Sequence, residues 1–249
     1  MPERDVRVLT DFAAEAAAIF IADLSAAVHE RGLASIVLAG GGTPLQVYRA
    51  MAGHEGNVSW QHLHVFWGDE RLVPPDDPGS NYRAAHEVLL SRVPVPVGHI
   101  HRIRGELPAE RAAADYIAQL RDWATDHDPG APNPWPRFDV VLLGLGEDGH
   151  TASLFPGSLV AADAPVIAVT ADYQGRPAGR VTLTPPALND ARRVYFLVTG
   201  ANKAGAVHDT FHTDDPTRFP ARRIRPASGM GPTWLLDEPA AHRLYGRGR

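Results

Sequence analysis

The chain has 249 residues, 44% of them hydrophobic, which is enough for a sizeable buried core in one or two domains. Lysine and arginine number 24 against 29 acidic residues, so the net charge of −5 offers nothing in bulk to nucleic acid or an anionic membrane. There is no cysteine, which excludes disulfides, thiolate–metal sites and a cysteine nucleophile, and fits a reducing cytoplasm.

The opening residues 1–11 carry Glu3, Arg4, Asp5 and Arg7 with no apolar core, so no secretory signal is expected. No uninterrupted apolar run reaches membrane-spanning length, and a soluble protein is expected. Residues 11–31 predict a helix: Phe12, Ala16, Ile19, Phe20, Ala27 and Val28 keep helical spacing, with Asp11 to cap it and Gly32 to end it. Residues 34–39 read as a short buried strand that runs into Gly40-Gly41-Gly42-Thr43-Pro44. Helical spacing resumes over 45–51, with Thr43 as the expected N-cap and Pro44 at the first helical position. Residues 63–67 are the next strand, ending in a loop Gly68-Asp69-Glu70-Arg71. After the loop 74–79, Ser80 caps a helix carrying Tyr82, Ala85, Val88 and Leu89. An alanine-rich helix over 108–124 leads to the proline-rich connector 128–136.

Residues 138–143 are apolar or β-branched apart from Asp139, which suits a strand buried on both faces. Strands follow at 165–169, 180–183, 193–199 and 233–236, with a helix over 201–211 and a basic loop or short helix over 218–225. Residues 247–249 read as a frayed tail. Buried, non-alternating strands interleaved with helices argue an α/β fold: a Rossmann-like, mostly parallel sheet with helices on both faces. The connector has strands on each side that need the other side's helices to cover them, so residues 1–249 are expected to form one domain with a surface loop.

Three strand-to-loop junctions carry chemistry, and in a parallel sheet all three emerge on one edge. The first, Gly41, Gly42 and Thr43, offers N–H groups and a helix N-terminus to an anion, a phosphate above all. It lacks the lysine of a Walker A loop, which argues against a nucleoside triphosphate. The second supplies Asp69, a carboxylate suited to orienting an imidazole, and Arg71, suited to gripping a phosphate. The third is Gly144-Leu145-Gly146-Glu147-Asp148-Gly149-His150, where His150 is an acid–base candidate at neutral pH. These glycines also fit a dinucleotide fingerprint with Asp163 downstream, but Pro156 and Gly157 interrupt the helix that fingerprint needs. A fourth group, Lys203, sits in a first helical turn, where the helix dipole disfavours a cation; it reads either as an ordinary solvated lysine or as a cation held beside a bound phosphate. The pairs His62/His64 and His99/His101 come with no HExxH or carboxylate cluster, so no metal site is expected, and there is no GxSxG.

Taken together, Ala39-Gly40-Gly41-Gly42-Thr43-Pro44, Trp67-Gly68-Asp69-Glu70-Arg71, Gly79-Ser80-Asn81-Tyr82, the run from Gly144 through Gly149-His150-Thr151-Ala152-Ser153-Leu154-Phe155-Pro156, Arg180-Val181-Thr182-Leu183-Thr184 and a tail of the type Trp234-Leu235-Leu236-Asp237-Glu238-Pro239 resemble the 6-phosphogluconolactonase family. The order matches along nearly the whole chain; Gly42 stands where that family often has serine. The resemblance implies the fold shared by glucosamine-6-phosphate deaminases, ribose-5-phosphate isomerases and CoA transferases, with room for a small antiparallel extension. It further implies a hydrolase of the oxidative pentose phosphate pathway that uses no cofactor, and a cytoplasmic location is expected. The rival deaminase reading asks for a glutamate near Phe155 and commonly a tyrosine where this chain has Arg71; phenylalanine transfers no proton. A phosphosugar-sensing regulator on the same fold is the alternative from another class, and normally adds a DNA-binding helix-turn-helix.

On this reading the substrate is 6-phospho-D-glucono-1,5-lactone. Arg71, Lys203 and the amides of Gly41, Gly42 and Thr43 hold its phosphate, with Arg180 adding charge. His150 takes a proton from attacking water, Asp69 orients His150, and backbone N–H groups of the turn bearing Gly144, Gly146 and Gly149 steady the oxyanion. The expected partner is the small-molecule lactone, without nucleic acid or membrane; coupling to glucose-6-phosphate dehydrogenase would be metabolic, without a stable complex.

Overall fold

The computed structural model of the chain describes residues 5–54, 59–158, 163–173, 175–213, 215–227 and 231–244. The tail 247–249 lies outside them. In chain order the N-terminal half runs β1 (Val6–Val8), α1 (Phe12–Arg31), β2 (Ala34–Leu38), α2 (Gly42–Ala52), β3 (Leu63–Trp67), β4 (Asp69–Arg71), α3 (Asn81–Ala85), β5 (Ile100–His101) and α4 (Ala109–His127). The C-terminal half runs β6 (Val140–Gly144), β7 (Val166–Thr170), β8 (Gly179–Leu183), α5 (Pro185–Asn189), β9 (Arg193–Val198), α6 (Ala204–His212), β10 (Thr233–Leu236) and α7 (Glu238–Ala241).

Among the described residues, seven strands form one parallel sheet in the order β1-β10-β9-β6-β2-β3-β5. Every residue of β2 and β3 is buried, so both faces of the sheet are covered, as near-continuous apolar strands require. The side chains of Ile36, Val37, Val65, Phe66, Val140, Val141, Leu142 and Phe196 are withdrawn from water, at about 1.5–3 kcal/mol for each large one. A second sheet of three antiparallel strands, β4-β8-β7, stands beside the first; this is the antiparallel extension. It is joined to the main sheet where the chain leaves β3, since Gly68 O accepts from Leu183 N at 2.8 Å.

Helix α1 starts where Asp11 accepts a hydrogen bond from Ala14 N and stops at Gly32. Its length and composition would also suit a membrane span, but Phe12, Ala16, Ala17, Phe20, Ile21, Leu24 and Ala27 are buried in the core, and it packs on α2 and β2. It is a core helix. Ser80 caps α3 as expected, accepting from Arg83 N. The N-cap of α2 is Gly41 and not Thr43: Gly41 turns the chain at φ 103°, a conformation that L side chains resist, and the Thr43 hydroxyl is instead bonded to that of Thr199 at 2.6 Å.

Residues 69–71, expected as loop, are strand β4; three charged side chains carry no strand signature, and pairing with β8 makes the strand. The edge strands β1 and β5 and the short helices α5 and α7 also exceed expectation, and residues 201–203 form a 3₁₀ turn before α6. At the amino-terminal pole, Asp139 accepts from Ser35 and pairs with Arg31 and Arg192, bracketing α1 against β2 and β6.

Candidate active site

The chain leaves β2 toward β3 and β5 on one side of the sheet, and leaves β6 toward β9 and β10 on the other. Strands β2 and β6 are neighbours, so the sheet has its switch point between them, and a crevice opens outside their carboxyl ends. A cavity of about 450 Å³ lies there.

Its floor is the glycine turn after β2, with Gly41, Gly42 and Thr43 at the start of α2. Gly144, Gly146 and His150 enter from the end of β6, and Lys203 from the turn after β9. Asp69 and Arg71 of β4 and Arg180 of β8 form the wall contributed by the small sheet. Hydrogen bonds between segments far apart in the chain hold the rim together. Thr43 meets Thr199 at 2.6 Å, Asn202 Nδ2 donates to Glu147 Oε1 at 2.7 Å, and Ser153 Oγ donates to Asp69 Oδ2 at 2.6 Å. Every expected site residue except Gly149 therefore lines one cavity; Gly149 is buried against Phe219.

Asp69 does not orient His150. The imidazole Nδ1 donates to Asp148 Oδ1 at 2.5 Å, and the same oxygen accepts from His150 N at 3.1 Å. Burial acts to raise the Asp148 carboxyl, but the hydrogen bond and charge of His150 outweigh it and hold the group below its ordinary value. An ionised Asp148 fixes Nδ1 as the protonated nitrogen and leaves Nε2, which makes no hydrogen bond among the described residues, as the basic one. Gly146 is needed beside this pair: a Cβ there would strike the His150 ring and the Asp148 carboxylate. Asp69 is buried, held by Ser153 and by Asn81 Nδ2 at 3.3 Å, and serves as countercharge to Arg180.

The expected backbone oxyanion donors are also displaced. Gly146 N–H donates to His150 O at 2.8 Å and Gly149 N–H to Gly146 O at 3.1 Å, so both amides are spent closing the turn. Gly144 contributes a carbonyl to the Thr151 hydroxyl at 2.8 Å. Arg180 is better placed to meet negative charge. It is 3% exposed, and its Nε and Nη2 have no hydrogen-bond partner among the described residues. Burial pushes its guanidinium down from its ordinary value, against the pull of Asp69. Arg71 is tied through Nη1 to Gly79 O at 2.6 Å, and its buried Nε has no hydrogen-bond partner among the described residues. Lys203 is half-buried; desolvation lowers its ammonium, opposed by Glu147 and Asp148.

Tyr173 and Arg176 also line the cavity, from the turn between β7 and β8. Sequence reasoning passed over them because a hairpin turn carries no motif. Asp148 had a signal that was available: it stands two residues before His150 in a glycine turn, where a short side chain folds back on the next residues.

Comparison with known proteins bears on what such a cavity does. The profile of the family described as glucosamine-6-phosphate isomerases/6-phosphogluconolactonase matches residues 8–234. The chain is 38% identical over 247 residues to a 6-phosphogluconolactonase of Synechocystis sp., covering 98% of each. It is 36% identical over 251 residues to the 6-phosphogluconolactonase of Mycobacterium tuberculosis, covering 98% of this chain and 96% of the other. The solved 6-phosphogluconolactonase of Trypanosoma brucei superposes with a TM-score of 0.81 at 31% identity, over 98% of this chain and 100% of that one.

Proposed function

The chain belongs to the glucosamine-6-phosphate isomerase and 6-phosphogluconolactonase family, and from that premise we propose that it works as a 6-phosphogluconolactonase with His150 as its general base. It hydrolyses 6-phospho-D-glucono-1,5-lactone to 6-phospho-D-gluconate in the pentose phosphate pathway. The observation that carries the mechanism is the Asp148–His150 pair, 2.5 Å apart, on the lip of a cavity lined by Arg71, Arg180 and Lys203.

The phosphate of the lactone takes the pole formed by the amides of Gly41, Gly42 and Thr43 and by Lys203, where a helix N-terminus and an ammonium both favour an anion. Binding energy gained there orients the carbonyl at the other end of the sugar. Water attacks that carbonyl carbon while His150 Nε2 takes a proton from it. The carbonyl oxygen becomes an oxyanion, met by the unpaired N–H groups of Arg180, with Arg71 adding positive potential. The intermediate then collapses: the bond from the carbonyl carbon to the ring oxygen breaks, and His150 returns its proton to that oxygen. The new carboxylic acid releases its own proton to solvent. Asp148 keeps the imidazole in one tautomer and steadies the imidazolium while it exists. At position 155, where the deaminase reading asks for a glutamate, a phenylalanine ring stacks on His150, which favours hydrolysis over a proton-shuttling isomerase reaction. The cytoplasm, where glucose-6-phosphate dehydrogenase makes the lactone, is the proposed compartment.

The test is a coupled assay. The lactone is generated in situ with glucose-6-phosphate dehydrogenase, and its product is consumed by 6-phosphogluconate dehydrogenase. Wild-type protein should bring the second reaction forward, and His150→Ala should lose about 10²–10⁴-fold in kcat. Lactone that disappears at its spontaneous rate in the presence of the protein would overturn the proposal.

A further inference from the structure

The His150 ring is held on more than one side. Its Nδ1 edge is bonded to Asp148. The Phe155 ring stacks on it with centroids 4.6 Å apart and planes at 28°. Tyr173 meets it edge-on, also at 4.6 Å and at 76°, and the two aromatic rings lie 5.8 Å from each other. Phe155 reaches this place because the chain folds back after His150. Thr151 and Leu154 exchange backbone hydrogen bonds, at 3.3 and 2.9 Å, and Ala152 adopts φ 48°, in the left-handed region that disfavours L residues. Leu154 is fully buried and anchors the fold-back, and Phe155 N donates to Ser158 Oγ at 3.0 Å. A strained residue kept beside a reactive group calls for a functional reason. The same Phe155 ring also lies 5.5 Å from the Arg180 guanidinium carbon.

We propose that Phe155 is a positioning residue for the hydrolysis, fixing the plane of the His150 imidazole and its separation from Arg180. The inference rests on His150 acting as the base. An imidazole is free to rotate about its side-chain bonds, and one hydrogen bond at Nδ1 leaves the ring plane open. The stacked ring closes that freedom, with Tyr173 as the second wall, so that Nε2 faces the cavity in one direction. Base and oxyanion donor must act on one carbonyl group, and a single benzene ring touching both sets their spacing. Its face also tolerates a cation, so the stack survives when the imidazole takes its proton.

Phe155→Leu keeps apolar bulk and removes the ring. It should lower kcat by about 10- to 100-fold, the scale expected when a reacting group is misplaced by about an ångström, with little change in KM. Phe155→Tyr and Phe155→Trp should restore most of the loss. In a His150→Ala background, Phe155→Leu should change kcat by less than about twofold, because a positioning residue acts only through the group it positions. Wild-type kcat in Phe155→Leu beside a crippled His150→Ala would overturn the inference and leave the base assignment standing, as would losses that multiply in the double variant. Wild-type turnover in His150→Ala removes both. If Phe155→Leu does not fold, the wild-type protein still decides. Ring-current displacement should carry the His150 carbon-bound ring protons upfield, and their appearance at the shift of a free imidazole would overturn the inference.

Discussion

A base two residues from the carboxylate that holds it depends on a few atoms. His150 keeps its proton on Nδ1 only while Asp148 accepts it, and Asp148 stays ionised because His150 faces it. Asp148→Asn should therefore lower kcat by a large part of the about 10²–10⁴-fold that general-base catalysis supplies, with KM near the wild-type value. Asp69→Asn should behave differently, costing stability by leaving the buried Arg180 without its countercharge. Steady-state kinetics and thermal unfolding of the two variants separate these outcomes, and equal loss of kcat in both would contradict the assignment. In the sequence, His150, Arg71, Lys203 and the glycine turn were legible, since each follows a strand, whereas Arg176 was not. The choice between two carboxylates was not legible, because Asp69 and Asp148 both follow buried strands. The closing of the turn by Gly146 N and His150 O decides it, and that bond leaves no mark in composition or spacing.

At the level of single elements, the edge of the sheet where β3, β5 and the end of α4 meet carries a group of imidazoles. His64 stacks on His99 at 4.0 Å, lies 4.9 Å from His127, and pairs with His101 at 3.1 Å, with Trp123 and Phe66 against the same rings. Burial, and then repulsion from the neighbouring imidazoles, pushes His64 down to about 3 and His101 down to about 4 from 6.5. Both rings are neutral in the folded chain and take protons near 6.5 when it unfolds. Their contribution to stability is thus present above pH 6.5 and is lost as pH falls through the window from 6.5 to 4 and below. The thermal midpoint should fall across that window, at up to ~1.4 kcal/mol per pH unit for each proton. His64→Phe, which keeps a ring in the stack, should fall less; an identical slope in the variant would contradict the account.

Strand β4 and helix α3 are tied by another group, Glu70. Its carboxylate accepts from the N–H groups of Arg71, Asn81 and Tyr82, each at 2.7 Å, and from Ser80 Oγ at 2.9 Å. Glu70→Gln replaces one acceptor oxygen by a donor and should cost about 1–3 kcal/mol in urea unfolding. An unchanged midpoint would show that the four bonds do not matter. The long buried strands were readable as apolar runs, whereas β4 was not: it is held by pairing with β8 and by the donors of Ser80, Asn81 and Tyr82 on the Glu70 carboxylate, all of them outside the strand itself.

For the whole molecule, the parallel sheet brings the ends of β2, β3, β6 and β9 to one rim, and the small sheet closes it with Arg71 and Arg180. The interleaving of strands and helices made the parallel arrangement legible; the strand order, and with it the switch point between β2 and β6, follows from pairing partners that spacing does not encode. The central claim is that this rim sets a carboxylate-held imidazole across a cavity from an anion cradle. The measurement that tests it most directly is a crystal structure with 6-phospho-D-gluconate, the reaction product, bound. The account predicts its carboxylate within hydrogen-bond reach of His150 Nε2, about 2.6–3.2 Å, and its phosphate on Lys203 and the amides of Gly41, Gly42 and Thr43. A product bound with its phosphate at His150, or outside the cavity altogether, would contradict it.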